Sequence, residues 1–209
     1  MKHIRHVMQI MVFCLVAACG NGNDRNLVPQ QVLARLAEPK QTPADVSQVR
    51  AALTPQVLTA IDGPVLLVQI MNRGAVAVLT RVAMNGPIET FLTPDGISLS
   101  LHDGLLVATR GLGFDLMAAD VGGPLGAVMG NANDAPREHR YLDGENHVSR
   151  DVFDCIYTRS AADHIREICS RAGNAFENTY IVDVFGLVRV SRQWVSEGVG
   201  YLLIERWGD

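Results

Sequence analysis

Four cysteines are the most reactive side chains of this chain, and their surroundings sort them into different roles. Cys19 ends the run Val16-Ala17-Ala18-Cys19, behind a basic start carrying Lys2 and Arg5 and the apolar stretch Val7–Ala18, interrupted only by Gln9. A basic start, a short apolar core and small residues at the cut describe a secretory signal. The apolar stretch falls short of the roughly 20 residues that a membrane-spanning helix needs. Small residues directly before a cysteine resemble the bacterial lipobox, in which the cysteine is acylated and becomes the new N-terminus. Cys14 follows bulky Phe13 and is the poorer candidate. An ordinary signal cut elsewhere and a short membrane anchor are the competing readings.

Acylation of Cys19 holds a protein on a membrane without a transmembrane helix, since each buried methylene contributes about 0.8 kcal/mol. Gly20, at the sorting position, is compatible with transport to the outer membrane, where Asp would favour the inner one. The expected location is therefore the periplasmic face of the outer membrane.

Export leaves two cysteines in the mature domain, Cys155 and Cys169, and an oxidising compartment makes a disulfide the default. Val152–Arg159 and His164–Arg171 read as strands around a turn at Ser160–Asp163. Positions 155 and 169 are equidistant from 162, so a hairpin closed there sets them opposite each other. Closing a loop of about 15 residues contributes roughly 3 kcal/mol in the chain-entropy picture. A catalytic thiol is the rival reading; it needs a nearby base, and nothing in the sequence marks one.

Other chemistry has thinner support. Asp115 and Asp120 could form a carboxylate pair for glycoside cleavage, but Asp115 is better read as a cap for a helix Leu116–Ala119 or a partner of Arg110. His102-Asp103 sits in a hairpin turn, and His139, His147 and His164 lack metal-ligand spacing. No Gly-x-Ser-x-Gly elbow, phosphate loop or His-Glu-x-x-His motif occurs. Trp194 and Trp207 could stack on sugars, although strand tryptophans more often pack into cores. Twelve aromatic residues in all argue against an extended sugar-binding groove.

The elements that must position these groups follow from patterning. Removing residues 1–18 leaves 191 residues, with 16 basic side chains against 22 acidic ones, a net charge of −6. This balance excludes nucleic acid as a partner class; binding an acidic polysaccharide would need local Arg clusters. Residues 19–41 read as lipid anchor and tether, with a short helix near Gln30–Leu36. Residues 42–209 read as one domain. Its first part is helical, Pro43–Leu53 capped by Thr42 and then Gln56–Ile61. Strands follow, beginning with Val65–Met71, apolar enough to be buried on both faces. Asp103-Gly104 is a strong hairpin signal. Gly111–Asp120 is too glycine-rich for a strand, and Gly122–Pro136 reads as a long loop. Strands resume at His139. About eleven closely spaced strands predict a mainly β, antiparallel barrel-like or sandwich fold.

Gly104–Asp120 (GLLVATRGLGFDLMAAD) resembles the YjbF/GfcB-type group 4 capsule lipoproteins, as do Arg140–Glu145, Phe176–Asp183 and Gly186–Glu205. Gly-Leu-Gly-x-Asp-Leu and Ser-Arg-Gln-Trp are the specific pieces. The resemblance implies an outer-membrane lipoprotein for making or exporting exopolysaccharide or capsule, with a mainly β, barrel-like fold. It supplies no catalytic residues and no cofactor. It points to the membrane through the lipid, other secretion proteins and the glycan itself as partners. A polysaccharide-modifying periplasmic enzyme is the alternative. Within the family-like stretches Arg110, Gly111, Gly113 and Asp115 form the expected binding loop, joined by Arg192 and Trp194. Its glycines permit backbone turns, and Arg110 offers planar donors to a carboxylate. The competing view has this loop plug one barrel end, with Phe114 and Leu116 turned inward. Cys19→Ser is expected to leave unprocessed or soluble protein, read by fractionation and by mass spectrometry of the mature N-terminus.

Overall fold

The computed structural model describes residues 45–145 and 147–208. Cys19, Gln30–Leu36, the Thr42 cap and the first residues of the expected helix lie outside them. The described chain begins with α1 (Val46–Ala52), capped by Asp45, which accepts the Ser47 N–H. Thr54 caps the next helix, α2 (Pro55–Thr59), with Pro at its first position where no N–H is needed.

Twelve strands follow: β1 (Val65–Ile70), β2 (Ala75–Asn85), β3 (Ile88–Leu92), β4 (Ser98–His102), β5 (Leu105–Arg110), β6 (Ala118–Asp120), β7 (Asp134–Leu142), β8 (Val148–Arg159), β9 (His164–Arg171), β10 (Asn174–Val182), β11 (Val188–Ser196) and β12 (Gly200–Trp207). All pairings are antiparallel, in the order β5-β4-β3-β2-β1-β12-β11-β10-β9-β8-β7-β6. The sheet curls into a nearly closed barrel whose two edges, β5 and β6, come together. Turn chemistry sets the meander locally. At Asp103-Gly104 both residues have positive φ, 50° and 87°, as a two-residue hairpin with the right-handed twist of its strands requires.

β1 is buried on both faces, as its composition predicts. Leu66 and Val68 point into the barrel, while Val65 and Leu67 lie under α1 and α2 with Leu53. Arg50 of α1 pairs with Glu205 of β12 and fixes the helices on this outer face. Inside, one apolar cluster fills the β1–β5 half and extends to Leu202 and Ile204 of β12. A second joins Phe153, Tyr157, Ile165, Phe176 and Tyr180 of the β8–β10 half. Cys155 and Cys169 are directly opposed in the β8–β9 register and form a disulfide within this second cluster.

Two expectations for the middle of the chain are corrected. Ala118–Asp120 is a strand, paired with Glu138–Arg140 of β7, and no helix forms over Leu116–Ala119. The expected loop at Gly122–Pro136 contains a helix, α3 (Gly122–Val128), and the first residues of β7. Glycine-rich sequence has low helix propensity, but Pro124, Ala127 and Val128 are buried, and packing outweighs propensity. Pro136 is tolerated within β7 because β6 pairs only from Glu138 onward, so no partner on that side needs its missing N–H.

The β7–β10 half encloses a polar group that barrel packing alone does not explain. Arg137 donates from Nε and Nη2 to Glu167, at 2.8 and 3.0 Å, and both side chains are shut off from solvent. Glu167 also accepts from Tyr157, Asn178 and Tyr180. Burial by itself would raise the Glu167 pKa; the Arg137 guanidinium and these donors outweigh it and hold the carboxyl below its usual value. A folded pKa below the unfolded one stabilises above the unfolded value, about 4.3, and that contribution is lost as pH falls through the folded pKa. Removing one partner of a buried pair costs about 3–5 kcal/mol. Arg137→Met should therefore lose that much in urea unfolding at pH 7. The deficit should shrink toward pH 4, because the stranded Glu167 then takes up a proton.

Candidate functional site

Strand alternation places the turns β1–β2, β3–β4, β5–β6, β7–β8, β9–β10 and β11–β12 at one end of the barrel, and this end carries an open cavity. It is a cleft of about 940 Å³. Its inner wall is aromatic: Phe153 and Phe176 at the floor, Tyr141 and Trp194 above them. The Trp194 and Phe176 rings stack at 6.0 Å and 12°, and Phe176 stacks in turn on His139 at 5.6 Å and 10°. Asp151, Asn174, Ser196 and Glu197 add polar groups to the wall, and the segment Arg110–Met117 overhangs one side.

The cleft exists because the ladder between β10 and β11 stops. Pairing runs only from Val182↔Val188 to Thr179↔Arg192, leaving residues 174–178 without a β11 backbone partner. Side chains fill the gap. Asn178 Oδ1 accepts the Trp194 N–H at 2.7 Å, and the Tyr201 hydroxyl accepts the Glu177 N–H at 3.2 Å. Arg192 donates to the Glu177 carbonyl at 3.0 Å while its guanidinium covers the Tyr201 ring at 3.4 Å. Arg192 thus braces the splayed strands from the outside, and Trp194 stands at the opening.

The loop between β5 and β6 is held as a rigid shelf. Asp115 accepts from Thr109 Oγ1 at 2.8 Å, from the Gly111 N–H at 2.9 Å and from the Leu112 N–H at 3.1 Å. Gly111 and Gly113 have φ of 91° and 99°, which lets the chain fold tightly around that carboxylate. Arg110 donates to the carbonyls of Thr109, Leu116 and Met117. The expected Arg110–Asp115 pair is therefore replaced by two separate sets of contacts to the loop backbone, and Asp115 caps no helix. Arg73 binds the carbonyls of Leu112 and Gly198, and Ser196 Oγ donates to the Phe114 carbonyl at 2.6 Å.

This framing sends alternate side chains in opposite directions. Leu112 and Leu116 enter the core, so the inward expectation holds for Leu116. Phe114 does the reverse: it is 68% exposed on the cleft rim and packed over Gly198, where a Cβ would come within 2.2 Å of its ring. The plug alternative, with Phe114 turned inward, is not what the structure shows for this residue, and a lone aromatic between Gly113 and Asp115 at a loop tip is the sequence signal that marks it.

The carboxylates here are engaged. Asp151 pairs with Arg171 at 2.6 Å, Glu197 accepts from Asn174 at 3.3 Å, and Asp115 holds the loop. Asp120 accepts the Gly122 N–H at the start of α3 and does not line the cleft, so the structure does not join Asp115 and Asp120 into a working pair. His139 is fully enclosed beside the floor. Burial, reinforced by Arg137, drops its pKa to about 3 and keeps the ring neutral. The Tyr141 hydroxyl donates to the Val195 carbonyl at 2.7 Å, so the 3.0 Å contact to His139 Nδ1 places the ring proton on Nδ1. Among the described residues, the one Cys/Glu grouping close enough to share a metal ion is Cys155, Glu167 and Cys169, and its sulfurs are in the disulfide.

The arrangement suits a ligand with apolar faces and hydroxyl edges: ring surfaces over a mouth, with amide, hydroxyl and carboxylate groups around them. Comparison with known proteins agrees with the barrel. A solved structure of a hypothetical lipoprotein, YmcC, from Escherichia coli K12 superposes with a TM-score of 0.64 at 19% identity, covering 80% of this chain and 97% of that one. No curated protein sequence matches the chain. The family model described as group 4 capsule polysaccharide lipoprotein GfcB, YjbF matches residues 31–206. The shelf motif around Asp115 and the β11 segment bearing Trp194 both fall within that match, and the chain belongs to the YjbF family of group 4 capsule polysaccharide lipoproteins.

Proposed function

We propose that this protein is a non-catalytic accessory factor of exopolysaccharide or capsule production and export. It is anchored through Cys19 to the periplasmic face of the outer membrane and holds a segment of the glycan in its aromatic cleft. The observation that carries the reading is Phe114. A large apolar side chain is kept in water by a loop whose backbone is bonded at Gly111, Leu112, Phe114 and Leu116, so its position is prepared before any ligand arrives. The cleft volume falls within the roughly 300–1,000 Å³ of small-molecule sites, room for a few sugar rings rather than a long polymer. Engagement of Asp115 and Asp151 with protein partners favours binding over bond cleavage. Further secretion proteins are expected to meet the glycan-bearing end.

Two variants separate recognition from framework. Phe114→Ala removes exposed surface and should leave the melting temperature within about 2 °C of native, since surface changes stay near ±0.5 kcal/mol. It should nevertheless fail to restore polysaccharide export in a deletion strain, without altering glycan structure. Asp115→Ala strands three donors and should lower the melting temperature by roughly 5–10 °C, given about 1.5–3 kcal/mol for hydrogen bonds to a charged group. Full complementation by Phe114→Ala would remove the cleft from the function. Shortening of the polymer by the purified protein would replace binding with catalysis.

A further inference from the structure

The end of the barrel opposite the cleft gathers exposed apolar side chains at several separate turns. Val184 and Phe185, at the tip of the β10–β11 hairpin, are 92% and 90% exposed. The turn does not need them: Asp183 makes it by accepting the N–H groups of Phe185 and Leu187. Met129, partly exposed at the end of α3, lies beside the tip, with its sulfur 2.9 Å from where a Cβ on Gly186 would sit. The β2–β3 hairpin projects at the same end, since Thr80 of β2 already stands opposite Val65, the first residue of β1. It carries Val82 and Met84, 56% and 61% exposed.

We propose that this end lies against a lipid bilayer, with Val184 and Phe185 inserted at the headgroup boundary, Val82, Met84 and Met129 flanking them, and the cleft facing away from the membrane. Three observations favour a bilayer over a protein partner. The apolar groups project from separate turns instead of forming one continuous face. A fluid lipid surface moulds around such points, whereas a stable protein interface requires a large complementary area. The chain also enters the barrel at this end: a Cβ on Gly208 would sit 3.7 Å from the Pro64 Cα at the start of β1, and Arg189 beside the tip donates to the Gly208 carbonyl. The 25 residues between Cys19 and Asp45 reach at most about 90 Å when fully extended, ample to let this end touch the leaflet that holds the lipid. Finally, charged groups near the tip are engaged with protein: Asp183 with Arg189, Asp163 with His164, and Arg159 with the carbonyls of Val128 and Ala162. Approach to the headgroups leaves those contacts in place.

The inference rests on the lipid-anchored reading, and the test separates the two. The whole lipoprotein, purified from membranes, is reconstituted into phosphatidylethanolamine/phosphatidylglycerol vesicles with or without bromine on the acyl chains near the glycerol. Flotation reports anchoring. Fluorescence reports the tip, comparing Phe185→Trp with Asp95→Trp in the β3–β4 turn at the cleft end, each against the native protein with Trp194 and Trp207 as baseline. The Phe185→Trp increment should be quenched at least about twofold by brominated lipid, and the Asp95→Trp increment should not. Protein that floats while the Phe185→Trp signal is unquenched, or quenched equally with Asp95→Trp, overturns the orientation. Native protein that fails to float overturns the anchor, and the orientation with it.

Discussion

An antiparallel meander has two edges, and the unpaired edge of β5 is the constraint around which this molecule is arranged. Open edges expose rows of backbone donors and acceptors and invite pairing with other chains. Here the edge is closed piece by piece. At its lower part Gln193 of β11 accepts the Leu106 N–H and donates to the Gly104 carbonyl, both at 2.8 Å, an amide standing in for a strand. At its upper part the Thr109 N–H reaches the Leu116 carbonyl, and Thr109 Oγ1 accepts the Leu116 N–H. Arg110 ties down the carbonyls of Thr109, Leu116 and Met117. The two segments most characteristic of the family, one around Gly-Leu-Gly-x-Asp-Leu and one at Ser-Arg-Gln-Trp, thus meet at one seam from opposite sides of the barrel.

Closing the seam with side chains has a geometric result. A full ladder would draw β5 and β6 together along their length and leave no room for a mouth. The substitutes are short and local, and the Tyr141–Val195 contact crosses between walls in the same manner. Leucines fill the interior of the β1–β5 half, and larger aromatic and polar groups fill that of the β7–β10 half. There the buried Arg137–Glu167 group and the His139–Phe176–Trp194 stack occupy volume that smaller aliphatic side chains would leave empty. The splayed top of β10 completes the opening. Scaffold and cleft are in this sense one solution to the same packing problem.

Much of this was legible in the chain. Alternating patterns marked most of the strands, the unbroken apolar run of β1 announced burial on both faces, and the symmetric placement of Cys155 and Cys169 about the β8–β9 turn gave their pairing. What escaped was structure held by tertiary contacts against local preference: α3 in a glycine-rich stretch, β6 with three residues, and Pro136 within a strand. The buried charges were readable only with the register known. Glu167 alternates with Ile165 and Cys169, and Arg137 with Ala135 and His139, so each lies on an inward face; without the barrel, a charged residue in such a position reads as solvated. Arg110 and Asp115 were expected to pair or to cap a helix, whereas each bonds the loop backbone separately, and which of their neighbours meets the cleft depends on a backbone path that glycines leave unspecified.

β12 lies between β1 and β11, joining the first strand of the domain to the later ones. It is also the last of the twelve described strands in chain order. A chain is made from its N-terminus onward, so ten strands separate β1 from one of its two neighbours. Until then its second edge is open, and the β1–β5 and β7–β11 halves have no strand in common. Completion is therefore all-or-none in order, and β1, the most apolar strand of the sheet, is the one left half-paired longest.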